Sequence, residues 1–246
     1  DSGLIKSWSL DLIQNLPLSG FKEWQDDLKK AITFSPPHLS IYDLNIENGT
    51  VFKKLVNLGK LKLPSDEEAF RNSESTHLIL KNSGYSRYEI SNYCLPRHQS
   101  RHNRVYWSGL GWWSFGQGST SSPWGEKFTR PRVSKEYKKW VIRQNELNLD
   151  SSLINKDFVY KELDEKIMLG LRLKEGIDIY EAFKEQNWGD KKFERNFSQL
   201  LEEWDGFLES GLLVRIGNRF FLRDPQGMEL SNQILISMFK WWDKIN

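Results

Sequence analysis

The first hundred residues alternate between two hydrophobic periods, and that alternation limits the possible folds more than any other feature. "WSLDLI" (8–13) is a short, apolar-rich run of strand type, closed by the turn chemistry of "LPLSG". "FKEWQDDLKKAIT" (21–33) then sets Phe21, Trp24, Leu28 and Ile32 at helical spacing. "HLSIYDL" (38–44) follows the breaker Pro36-Pro37 as a second strand. In "SDEE", Ser65 and Glu68 form a capping box, opening a helix that runs to Gly84, a residue suited to the left-handed turn after a helix. "YSRYEIS" (85–91) reads as a third strand. The β-α-β-α-β order predicts parallel strands joined by helical crossovers, hence an α/β layer or barrel.

After about residue 150 the pattern changes. Helical periodicity occupies roughly 156–173, 177–187 and 190–209. The strand-like runs "LLVRI" and "RFFLR" flank the turn Gly217-Asn218, and a last helix is expected over 226–243. Helix, helix, hairpin, helix is the outline of a winged-helix-like module. The expected division is therefore 1–150, a partial α/β barrel, and 151–246, a small and mostly helical domain. A three-stranded sheet exposes an edge that natural proteins avoid. Together with a start at Asp1, close before the first strand, this creates the expectation of a further portion upstream.

Composition narrows the function classes. Lys and Arg number 35 against 33 Asp and Glu, a net charge of +2, so the chain as a whole is no polyanion binder and no nucleic-acid partner is expected. No apolar run approaches the length of a membrane span. One cysteine, Cys94, leaves no internal disulfide, suits a reducing compartment such as the cytoplasm, and cannot by itself ligate an iron–sulfur cluster. A lone cysteine is more often inert than nucleophilic.

Several residues have chemistry that calls for a role. Asp11 stands late in a strand, where parallel α/β folds assemble ligand sites, and its carboxylate can accept from a ribose or an amine; a loop or cap role is the plainer reading. Glu47 follows the second strand in the same way, though a solvated loop carboxylate explains it as well. Glu89 sits mid-strand, facing either a barrel interior or solvent. Between 97 and 113, on an expected loop, Arg97, His98, Arg101, His102 and Arg104 crowd beside Tyr106, Trp107, Trp112 and Trp113. Guanidinium forks hold carboxylates, aromatic faces stack on flat rings, and a neutral imidazole can ligate haem iron. That set suits a porphyrin fringed by carboxylates; it also suits stacked single-stranded RNA, or rings that merely pack beneath solvated arginines. "FGQGSTS" (115–121) lacks dinucleotide spacing and reads as a strand end where backbone passes close to a ligand or neighbour. The helix "FSQLLEEWDGFLESG" carries four carboxylates and no Lys or Arg, so the winged module is not expected to read DNA.

These segments resemble a known family. "SLDLIQNLP" is similar to the D-L-I-x-G-L-P of oxygen-independent coproporphyrinogen III oxidase-like proteins, members of the radical S-adenosylmethionine (SAM) superfamily. "LSIYDLNIENGTVF", "GYSRYEISNY" and "EKIMLGLRLKEGIDI" resemble further motifs of that family in the expected order. "RHNRVYW" contains the H-N-x-x-Y-W of its haem-chaperone branch. The resemblance runs from about residue 7 to the end.

It implies a partial (β/α) TIM-like radical SAM barrel with a winged-helix-like carboxy-terminal domain, and, in an intact protein, a 4Fe–4S cluster on C-x-x-x-C-x-x-C with S-adenosylmethionine at its open iron. The cysteine motif is absent from this sequence. By position, the resemblance assigns Asp11, Asn45, Gly116, Gly118 and Thr120 to the S-adenosylmethionine side, with Asn45 and Thr120 departing from the family's usual residues. It assigns His102, Asn103, Tyr106 and Trp107 to the haem side; taken with the chemistry of the segment, this makes His102 the expected iron contact and leaves Arg97, Arg101 or Arg104 available for propionates. The implied function is a haem chaperone delivering haem to an unidentified acceptor protein. The alternatives are coproporphyrinogen III oxidative decarboxylation and a single-strand RNA-binding module.

Overall fold

The computed structural model describes residues 7–146, 159 and 161–245. Their contacts form two compact units: the segment up to Ser100 together with Leu171 onward, and Arg101–Gly170. The sequence division at 150 falls outside the described residues, as does part of the helical pattern expected from 156. A split into 1–150 and 151–246 remains a proposal about chain order.

The larger unit starts with β1 (Ser9–Gln14), α1 (Phe21–Thr33), β2 (His38–Asp43), α2 (Val51–Asn57), α3 (Asp66–Asn82), β3 (Ser86–Arg87) and β4 (Asn92–Cys94). The smaller unit holds α4 (Arg101–Trp107), β5 (Thr120–Ser121), β6 (Phe128–Thr129) and α5 (Ser134–Glu146), and α6 (Leu163–Leu171) crosses back. The larger unit then continues with β7 (Ile177–Asp178), α7 (Ile179–Lys184), α8 (Asp190–Glu209), β8 (Leu213–Ile216), β9 (Arg219–Leu222), α9 (Gln226–Glu229) and α10 (Ser231–Ile245).

Strands β1 and β2 pair in parallel, with Leu10 opposite Leu39 and Leu12 opposite Ile41. One face of this pair is apolar and receives Trp24 and Leu28 of α1 and Leu80 of α3. The two helices are also tied by the Trp24 indole, which donates to Thr76 Oγ1 at 2.8 Å. The Ser65 capping box is present: Ser65 Oγ accepts the Glu68 amide, and the Glu68 carboxylate accepts the Ser65 amide at 2.8 Å. Gly84, with φ of 86°, takes the left-handed turn that ends α3.

The third parallel strand expected at 85–91 is not formed. The chain instead makes β3, turns through Glu89, and returns as β4, which runs antiparallel to both β2 and β3 in the order β1-β2-β4-β3. The turn buries Glu89 and pairs its backbone with Leu173, a tertiary contact with no local signature in the sequence.

The winged-helix-like outline is present. β8 and β9 pair around Gly217 (φ 61°), and β7, which periodicity did not reveal, adds a third strand in the order β7-β9-β8. Its core is aromatic: Phe183, Trp204, Phe220 and Trp241 are all fully buried. Gly176 precedes β7 at φ 65°, where a Cβ would meet the Phe220 carbonyl oxygen, so only glycine fits.

Candidate functional site

The cation–aromatic segment expected to be a loop folds into α4. Its residues carry no continuous apolar stripe, yet His102 and Tyr106 stand four apart and so share a face. His102 Nε2 lies 3.1 Å from the Tyr106 hydroxyl, with the rings edge to face at 4.9 Å. Tyr106 in turn meets Trp112 edge-on at 4.7 Å. Trp112 is fixed by paired backbone hydrogen bonds with Ser122, at 3.2 and 2.9 Å. The outcome is a train of three rings headed by an exposed imidazole. Asn103 and Trp107 occupy the neighbouring stripe of α4 and are half-buried, as is Arg104, whereas Arg101 is exposed.

Beside the train, Trp113 packs edge-on against Trp124 at 5.3 Å and Phe128 at 6.1 Å. The β5–β6 ribbon supporting these rings is clamped by Arg130, a buried cation that no sequence pattern had singled out. Its guanidinium donates to Ser121 Oγ at 2.8 Å and to Ser119 Oγ at 3.2 Å, and lies over Phe128 and Trp140. Gly118 (φ 70°) passes close to Arg132, where a Cβ would sit 3.2 Å from its Cγ, in keeping with the expected close backbone approach. Gly116 also has positive φ, and the Thr120 hydroxyl is engaged by Thr129 Oγ1 at 2.7 Å.

In the larger unit, Asp11 lies on the exposed face of β1, opposite Ser40 of β2. That face carries a hydrogen-bonded chain that sequence reasoning missed. Ser9 Oγ donates to the Asp11 carboxylate at 3.3 Å and lies 2.8 Å from His38 Nδ1; His38 Nε2 is 2.8 Å from the Tyr88 hydroxyl. Burial lowers the His38 pKa, against the opposing pull of Asp11, which keeps the ring neutral. The donors then run in one direction: Tyr88 O–H to Nε2, Nδ1–H to Ser9, Ser9 to Asp11. The period-two spacing of His38, Ser40 and Tyr42 in "HLSIYDL" was the available signal.

Asn45 is exposed beyond β2 and donates to Glu47 Oε1 at 3.0 Å, while the Glu47 carbonyl accepts from Thr50, the N-cap of α2. Glu47 is thus a loop carboxylate with a structural partner. On the α3 side of the sheet, away from Asp11, a polar cavity of about 240 Å³ is bounded by Gln14, Asp43, Thr76, Arg87, Tyr93 and Glu229, none of them an expected site residue.

Glu89 is almost wholly buried and accepts hydrogen bonds from Asn92 Nδ2 and the Ser91 amide. Desolvation raises its pKa above the ordinary 4.5, outweighing those hydrogen bonds. The folded state therefore holds this proton more tightly than the unfolded chain, so stability falls as pH rises from about 4.5 through the elevated folded value. Glu89→Gln keeps the acceptor oxygen and removes the titration. Urea midpoints measured against pH should decline less for the variant than for the wild type across that window, and parallel curves would refute the assignment.

The residues present do not fit the implied iron–sulfur cluster. Cys94 is the sole cysteine of the sequence, it is buried in β4, and burial raises its thiol pKa. Among the described residues, no three His, Cys, Asp or Glu side chains are grouped to hold a metal ion.

No family model matches the chain. Curated relatives do. A haem chaperone HemW of Synechocystis sp. is 34% identical over 96% of this chain and 59% of its own length. HemW of Lactococcus lactis is 29% identical over 92% of this chain and 56% of its own. The chain thus spans a little over half the length of these relatives. Among solved structures, the coproporphyrinogen III oxidase HemN of Escherichia coli, a radical SAM enzyme, superposes with a TM-score of 0.64 at 16% identity, covering 95% of this chain and 55% of that one. That likeness establishes the fold, part of a radical SAM barrel with an attached helical module. Sequence kinship along nearly the whole chain and that fold in common are those of a HemW/HemN-like family, to which this chain is similar over a little over half of its members' length.

Proposed function

We propose that the protein binds haem as cargo and passes it to an acceptor protein in the cytoplasm, with α4 and the adjoining aromatic ribbon as the haem-handling surface. The observation that carries this reading is the exposed His102 imidazole at the head of the Tyr106–Trp112 train. Neutral imidazole is a strong ligand for haem iron, and the aromatic edges behind it offer apolar contact to a macrocycle. Arg101, exposed beside His102 in sequence, supplies a cation for a propionate. Asn103 and Trp107 shape the flank of the same helix.

On the S-adenosylmethionine side, Asp11 is the assigned residue with most acceptor capacity, one of its oxygens being held by Ser9. Asn45 and Thr120 already have partners in Glu47 and Thr129, so their contribution would be to loop and ribbon shape, with Gly116 and Gly118 allowing close backbone approach. Cluster chemistry would need thiolates that this sequence lacks, and no step is assigned to it.

Titration of ferric haem into the wild type and His102→Ala tests the reading. The wild type should show a shifted Soret band, and the variant should lose that shift and bind at least about tenfold more weakly, the equivalent of one modest ligand bond. Equal spectra and equal affinity would remove His102 from the site.

A further inference from the structure

We infer that Tyr106 is a positioning residue that competes with iron for His102 Nε2, and so tunes how readily haem is taken up and released. The inference rests on the haem-binding reading above. A neutral imidazole has one protonated nitrogen and one lone pair, and only the lone pair can ligate a metal. The Tyr106 hydroxyl lies 3.1 Å from Nε2. A phenol is the better donor and an unprotonated imidazole nitrogen the better acceptor, so the lone pair at Nε2 is occupied and the proton sits on Nδ1.

The tyrosine of this pair is held by its neighbours. Helical spacing places the two rings on one face, and Trp112 packs edge-on against the tyrosine ring at 4.7 Å. Trp112 is itself pinned by the Ser122 backbone. Iron approaching Nε2 must therefore break the O–H···N hydrogen bond as the Fe–N bond forms. When haem leaves, the hydroxyl recaptures the nitrogen. A carrier gains from this, because the ligand nitrogen has an internal partner in the unloaded state and release is correspondingly less costly.

Tyr106→Phe keeps the ring and its packing and removes only the hydroxyl. Titrated with ferric protoporphyrin IX, this variant should bind about two- to tenfold tighter than the wild type, the weight of one hydrogen bond, and release haem more slowly. A merely structural tyrosine would give the opposite sign. Unchanged or weaker binding by Tyr106→Phe, with the Soret shift lost in His102→Ala, overturns the inference and leaves the haem reading standing. A wild-type Soret spectrum in His102→Ala overturns both. Nitrogen-15 spectra of the haem-free protein give an independent readout. The wild type should show His102 protonated at Nδ1, with an Nε2 resonance that moves in Tyr106→Phe; a proton found on Nε2 in the wild type overturns the inference.

Discussion

Arg87→Ala lowers the unfolding free energy by about 3–5 kcal/mol, the range expected when one partner leaves a buried ion pair. Arg87 belongs to β3, and its side chain is only 5% exposed. Its Nη1 donates to Glu229 Oε1 at 2.8 Å and to Asp224 Oδ1 at 3.4 Å, its Nε donates to the Ile90 carbonyl at 2.9 Å, and its guanidinium lies over the Tyr93 ring. Alanine would leave two carboxylates, each 15% exposed, without their cation, and would remove the donor to the half-buried Ile90 carbonyl. Asp224 retains His77, whose Nδ1 is 3.3 Å away, but burial lowers the pKa of that imidazole, so it is a poor substitute cation at neutral pH. Urea denaturation of Arg87→Ala, Glu229→Gln and the double variant measures the effect. The double variant should lose clearly less than the sum of the singles, since the second change removes one of the charges that the first exposes. Strict additivity would show that the pair contributes nothing as a pair.

The Arg87 cluster also marks where sequence reading stops. Arg87 and Glu229 are 142 residues apart in the chain, and nothing local in "YSRYEIS" announces the partner. The same segment reads as one strand because Tyr85, Tyr88 and Ile90 are strand-favouring residues, whereas in the fold the chain turns at the buried Glu89, which pairs with Leu173. Elements carrying their own signal were legible: β1, α1 and β2 from periodicity, α3 from the Ser65–Glu68 cap, the hairpin from Gly217-Asn218. Elements built by distant pairing were not, as β7 shows, two residues made a strand only by β9. The site divides in the same way. The chemical character of His102, Tyr106 and Trp112 was readable from composition, and their family assignment from motifs. Their geometry was hidden because α4 has no apolar stripe, although the four-residue spacing of His102 and Tyr106 was there to be seen. His38 was legible only as one member of a polar period-two stripe with Ser40 and Tyr42, because its partners Ser9 and Tyr88 reach its two nitrogens only in the fold.

The second large effect lies in the winged module. Phe183→Ala should cost about 3–5 kcal/mol, the usual penalty for truncating a buried aromatic side chain to a methyl group. Phe183 is wholly buried and central to a ring cluster. It meets Trp188, Phe193 and Phe197 edge-on at 5.4, 5.7 and 5.5 Å, and stacks on Trp241 at 5.5 Å. Helix α7 has only 6 residues, too few to persist alone, so packing must hold it. Those rings come from α7, α8, α10 and the turn at Trp188, so the cavity left by alanine would be shared by elements that cannot close on it without breaking their own contacts. Phe183→Leu restores most of the volume and should recover more than half of the loss. Ile236→Ala, on the exposed face of α10 at 53% exposure, should stay within about 0.5 kcal/mol of the wild type, as surface substitutions usually do. Denaturant midpoints give the energies, and near-ultraviolet circular dichroism reports the order of Trp188 and Trp241 directly. A Phe183→Ala protein that unfolds at the wild-type midpoint with an unchanged aromatic signal would mean that the cluster does not hold the module together.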